Sequence, residues 1–103
     1  MIIDDALLDE LIAKAKESPR LRMNYDLRNS PDDKSQRMMN ALIPGTKMPI
    51  HRHTKSSETL FVLRGRMDEI FYDDNGNETG RAHLNPAKGC YGVNVPMNVW
   101  HRT

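Results

Sequence analysis

The stretch that decides the reading is Gly45-Thr46-Lys47-Met48-Pro49-Ile50-His51-Arg52-His53-Thr54-Lys55-Ser56-Ser57-Glu58-Thr59-Leu60-Phe61-Val62-Leu63-Arg64-Gly65, spaced G-x5-H-x-H-x4-E-x6-G. On a strand, successive side chains point to opposite faces, so His51 and His53 project together while Arg52 faces away, toward an outer-face ion pair. A tight loop over Thr54–Ser57 then returns Glu58 beside them on the next strand. Two imidazole nitrogens and a carboxylate oxygen suit a divalent cation. An isolated His-x-His is ordinarily two exposed polar side chains. Glu58 at this spacing and the bracketing glycines make it a candidate metal site.

Working outward, Thr59–Leu63 and Ile70–Tyr72 are the most apolar runs and read as strands, with Asp73-Asp74-Asn75-Gly76-Asn77 as a hairpin turn. A third pair of strands is expected around Thr79–Leu84 and Cys90–Val95. Upstream, Arg20–Leu27 and Gln36–Ile43 are strand-like, separated by the turn-forming residues of Arg28–Asp33. At the N-terminal end, Leu7, Leu8, Leu11, Ile12 and Ala15 recur at helical spacing over residues 4–17. Asp4 and Asp5 stand where carboxylates suit the helix dipole, and Ser18-Pro19 forms a stop. Many short strands with Gly, Pro and Asn punctuation argue for an antiparallel sandwich or barrel in one domain.

The run from Gly45 to Gly65 resembles the first motif of the cupin superfamily at every spaced position. Cupins carry a second motif of the form P-x-G-x-x-H, and Pro96-Met97-Asn98-Val99-Trp100-His101 is similar to it, with Asn98 in the glycine slot. Asparagine tolerates the left-handed backbone better than most residues. The whole chain resembles the WbuC-type cupin-fold metalloproteins of lipopolysaccharide O-antigen and other surface-polysaccharide clusters. The likeness includes the leading helix, Pro19-Arg20-Leu21-Arg22-Met23-Asn24, Gln36-Arg37, Pro49–His53 and Trp100-His101. It implies a mainly β, cupin (jelly-roll-like) antiparallel β-barrel over residues 20–103, with a helix at residues 1–19 packed on it. It also implies His101 as fourth ligand beside His51, His53 and Glu58, around one divalent ion: iron, nickel, zinc, manganese or copper. Proteins of that type continue through further strands, whereas this chain ends at Thr103, so the reading expects a shortened chain or a sheet completed from elsewhere. With the latter comes a homodimer. It also expects His101 to be the weakest-held ligand, because chain ends fray unless tied down.

The remaining residues set limits. Lys and Arg total 15 against 14 Asp and Glu, interspersed, so no basic stripe speaks for nucleic acid. No run approaches the ~18 apolar residues of a membrane span. A single cysteine and an N-terminus without signal-peptide character make the cytoplasm the expected setting. The apolar fraction is 38% with six aromatic residues (one Trp, three Tyr, two Phe), a thin core that a metal or partner subunit would help hold. Arg22, Asn24 and Arg37 are candidate contacts for an anionic or hydroxylated small ligand, such as a sugar or nucleotide-sugar. His83 is expected at the surface and Cys90 in the interior. The functional readings that stand open are a metal-dependent enzyme on a small sugar-like substrate, a non-catalytic metal-assisted binding module, a metal-dependent dioxygenase on an unrelated small molecule, and a purely structural metal.

Overall fold

Helix α1 (Asp5–Glu17) forms where the apolar spacing places it. The Asp4 carboxylate accepts the Leu7 amide at 3.0 Å, satisfying one of the N–H groups a helix start leaves unpaired. At the other end Ser18 donates its N–H to the carbonyls of Lys14 and Ala15, and Pro19 prevents continuation. The computed structural model describes residues 1–103 and is mainly β beyond this helix, with antiparallel pairing in every sheet.

Residues Met1–Lys47 form a first compact unit. Strands β1 (Arg22–Asp26) and β2 (Met38–Leu42) pair from Arg22 opposite Leu42 to Asp26 opposite Met38. Alternation along β2 turns Met39 and Ala41 inward onto Leu11 and Ala15 of α1, and Leu7, Ile12, Met23 and Tyr25 close around them. Each aliphatic side chain buried in this way contributes roughly 1.5–3 kcal/mol. The helix, expected against a barrel, therefore packs on a two-stranded ribbon and shares that ribbon's core.

Residues Met48–Thr103 form the second unit. Strand β3 (Glu58–Phe61) pairs with β6 (Gly92–Val95), and β4 (Met67–Tyr72) lies between β5 (Glu78–Leu84) and β7 (Trp100–Arg102). The β4–β5 hairpin turns where expected. Asp73 Oδ1 accepts the amides of Asn75 and Asn77, both at 2.9 Å, and Gly76 takes a positive φ of 82°. The expected pairing of Thr79–Leu84 with Cys90–Val95 does not form: β5 pairs with β4 and β6 with β3, and only an isolated bridge joins Asn85 to Cys90. The interior of the unit holds Ile70, Leu84 and Val95 together with two polar side chains, Glu69 and His101.

The sheets, of two, two and three strands, do not close into the expected barrel. One reason lies in the decisive stretch itself. Pro44 and Pro49 lack the N–H that a continuous ladder needs, and His51 contributes only an isolated bridge where a strand carrying both histidines is expected. Cys90, expected inside, is exposed.

Candidate metal centre

The bridge suffices to aim the two histidines. His51 and His101 exchange backbone hydrogen bonds of 2.9 and 2.8 Å, and the His53 carbonyl accepts the Asn98 amide at 2.8 Å. The chain from His51 to His53 is thus fixed antiparallel to the segment leading into β7, and the alternation between 51 and 53 survives without a regular strand. Asn98 adopts a φ of 69°, in the left-handed region that asparagine tolerates better than most residues. Arg52 does point away, but its partner is an aromatic face in place of the expected carboxylate. Its guanidinium sits 4.6 Å from the ring centroid of Trp100, whose indole N–H donates to Asp74 at 3.1 Å.

Glu58 opens β3, and His101 sits in the middle of β7, so two different sheets supply the other two donors. One donor atom from each of His51, His53, Glu58 and His101 lies within 4.8 Å of the others, and the three rings stand 4.3–5.9 Å apart by their centroids. His51 Nδ1 lies 3.1 Å from the Pro49 carbonyl, which can only accept, so Nδ1 carries the proton and Nε2 is left as donor atom. Glu58 Oε2 lies 2.9 Å from His53 Nε2 and 3.6 Å from His101 Nε2.

The residues fit a metal on one structural count above all. His101 Nε2 is buried and makes no hydrogen bond, and the buried Glu58 Oε2 has only His53 Nε2, another of the four donors, within hydrogen-bond distance. Buried polar atoms without partners are rare because each loses its hydration uncompensated. A cation shared by these lone pairs removes that deficit. Metal–nitrogen and metal–oxygen bonds of about 2.0–2.2 Å set ligand atoms up to roughly 4 Å apart, so a small contraction of the group suffices.

His101 is 1% exposed and hydrogen-bonded through main chain and side chain, so the expectation that it is the weakest-held ligand gives way: β4 and His51 tie it down. Sequence reasoning missed Glu69. Its Oε1 lies 2.5 Å from His101 Nδ1, it is 1% exposed, and its other oxygen accepts the Thr103 hydroxyl at 3.1 Å. The available signal was a glutamate directly before the apolar run Ile70-Phe71-Tyr72, one alternation step from Phe71, the residue that pairs with His101.

Arg22, Asn24 and Arg37 lie in the first unit. Arg22 donates to the Lys47 carbonyl at 2.8 Å, Asn24 is exposed in mid-β1, and Arg37, just ahead of β2, pairs with Asp33 at 3.0 Å. The ribbon's register sets Arg22 and Arg37 at opposite ends, and no common pocket gathers them. His83 is at the surface as expected, 2.8 Å from Asp68. No helix is long and apolar enough to cross a membrane.

The fold is mainly β, and three histidines and one glutamate form a cluster that could hold a metal ion. A family model described as a domain of unknown function (DUF6016) matches residues 3–84, most of the chain, and the chain belongs to that family. The match includes His51, His53 and Glu58 and stops short of His101. No curated protein and no solved structure matches the chain.

Proposed function

We propose that this protein binds one divalent metal ion through His51, His53, Glu58 and His101, and that it is a cupin relative of the WbuC type. The observation that carries the metal reading is the convergence of the four donors, with His101 Nε2 buried without a hydrogen bond and Glu58 Oε2 contacted only by His53 Nε2, itself one of the four. The cupin assignment is supported by the two motif spacings and the left-handed Asn98. The surface-polysaccharide setting and a sugar or nucleotide-sugar ligand rest on the resemblance alone, and a cytoplasmic site of action rests on the single cysteine and the N-terminal sequence. A homodimer accompanies this reading, supported by Phe61, Leu63 and Tyr91, which are 69, 58 and 59% exposed on and beside β3 and β6. A purely monomeric species in size-exclusion light scattering at high concentration contradicts the dimer.

Four protein donors would leave two positions on an octahedral ion, or one on a five-coordinate ion, and a bound ion would supply Lewis acidity or redox chemistry to a small oxygenated ligand. The protein's own residues hold and orient. His51 Nδ1 is occupied by the Pro49 carbonyl, and Glu69 is occupied by His101 and Thr103, so neither is spare as a general base. That occupancy favours a second reading, a binding module in which the metal anchors a carboxylate or sugar hydroxyl without turnover.

Thermal melting of chelator-treated protein against manganese, iron, nickel, copper and zinc tests the metal reading. An ion present at a hundred times its Kd stabilises by about 2.7 kcal/mol. Equal melting temperatures with and without every ion contradict it. Incubating the loaded protein with nucleotide-sugars then separates the two functional readings. Product formation or oxygen uptake establishes an enzyme, and ligand-induced stabilisation without turnover establishes the binder.

A further inference from the structure

We propose that Glu69 is the positioning residue of the metal centre, holding the His101 ring so that its Nε2 faces the other three donors. This rests on the metal reading above. Among the largest fully buried side chains of the protein, only Glu69 and His101 are polar, and they are each other's partners. A buried carboxylate beside a buried imidazole is an unfavourable way to fill a small core unless both groups are fully satisfied. Glu69 is satisfied, with Oε1 on His101 Nδ1 at 2.5 Å and Oε2 on the Thr103 hydroxyl at 3.1 Å. His101 is not: its second nitrogen is buried without a hydrogen bond.

The asymmetry has a chemical reading. With Glu69 Oε1 as the acceptor of this contact, His101 carries its proton on Nδ1, and in that tautomer the Nε2 lone pair lies 3.6 Å from Glu58 Oε2. A lone pair turned toward an anion is unfavourable by itself and favourable with a cation between them. Metal-binding histidines commonly donate their other ring N–H to a carboxylate, which fixes the tautomer and the ring plane. Glu69 is not itself a member of the donor group, because it touches the opposite edge of the ring. With both carboxylate oxygens bonded, Glu69 has a defined orientation to impose.

The test is a Co(II) titration of the chelator-treated full chain, followed by its visible absorption, for wild type, Glu69→Gln and Thr103→Val. Long-range proton–nitrogen spectra of the histidine rings, metal-free and Zn(II)-loaded, accompany it. The expected result is a Co(II) affinity about 10–100-fold weaker in Glu69→Gln with a changed absorption band, and a smaller loss in Thr103→Val. In the wild-type spectra the His101 proton is expected on Nδ1, with Zn(II) shifting Nε2. Wild-type affinity in Glu69→Gln, or a His101 that binds Zn(II) through Nδ1, overturns the role of Glu69 and leaves the metal site standing. Failure of the wild type to bind either ion overturns both. Should circular dichroism show Glu69→Gln unfolded, the wild-type ring spectra and the Thr103→Val titration decide the matter.

Discussion

His51 and His101 grip each other through two main-chain hydrogen bonds, His51 N to His101 O at 2.9 Å and His101 N to His51 O at 2.8 Å, with their rings 4.3 Å apart. Residues fifty positions apart in sequence are thereby held as neighbours by backbone alone. Substituting either imidazole leaves this link in place, which allows metal binding and folding to be perturbed separately.

The four donors differ in what they do for the metal-free protein. His101→Ala leaves the buried Glu69 carboxylate without its closest partner, and we expect a loss of about 1–3 kcal/mol in urea unfolding measured with chelator present. The His53 side chain is 45% exposed, so His53→Ala should change the same quantity by no more than about 0.5 kcal/mol. Both substitutions should weaken metal binding. Equal metal-free stabilities of the two variants would contradict the burial argument.

Asn98 is held at a φ of 69°, two residues before the start of the strand that carries His101. Asn98→Gly removes the strain and should lie within a few tenths of a kcal/mol of wild type. A β-branched residue is unsuited to the left-handed region, so Asn98→Val should destabilise by at least about 1–2 kcal/mol. Thermal melting distinguishes them, at roughly 4–8 °C per kcal/mol for a chain of this size. A Val variant as stable as the Gly variant would show that the turn does not depend on residue type.

Amide hydrogen bonds from Asn77, and then Asn75, hold the Asp73 carboxyl below its ordinary value of 3.8. A carboxylate depressed on folding stabilises the native state above its unfolded pKa, and that stabilisation disappears as pH falls through the lower folded value. The stability difference between wild type and Asp73→Ala should therefore be constant near neutrality and shrink below about pH 3.8. Chemical unfolding across that range measures it, and a difference independent of pH would remove the charge from the turn's account.

What was legible in the sequence was local. The helix followed from apolar spacing, the acidic start at Asp4 and Asp5 and the Ser18-Pro19 stop, the hairpin from Asp73 to Asn77, and the left-handed turn from Asn98 in the motif's glycine slot. The donor trio followed from its spacing, because alternation operates over three residues whether or not a full ladder forms. What was not legible depends on pairing across the chain. Nothing local says that β6 returns to β3, or that His101 lies in a strand beside β4. The same blindness hid Glu69: an acidic residue just ahead of an apolar run reads as solvated until the pairing of Phe71 with His101 places it inside. The expected cupin barrel came from family resemblance, and the prolines that precede the histidine segment, Pro44 and Pro49, are a local reason its ladder breaks. Arg52 faced away from the histidines as alternation required, but its partner Trp100 lies forty-eight residues on and left no mark near it.

The most direct measurement of the central claim is elemental analysis of the purified protein beside the double variant His51→Ala, His53→Ala, prepared identically and shown folded by circular dichroism. The account requires close to one divalent ion per wild-type chain and a near-complete loss in the variant. Equal metal content in the two proteins would contradict it.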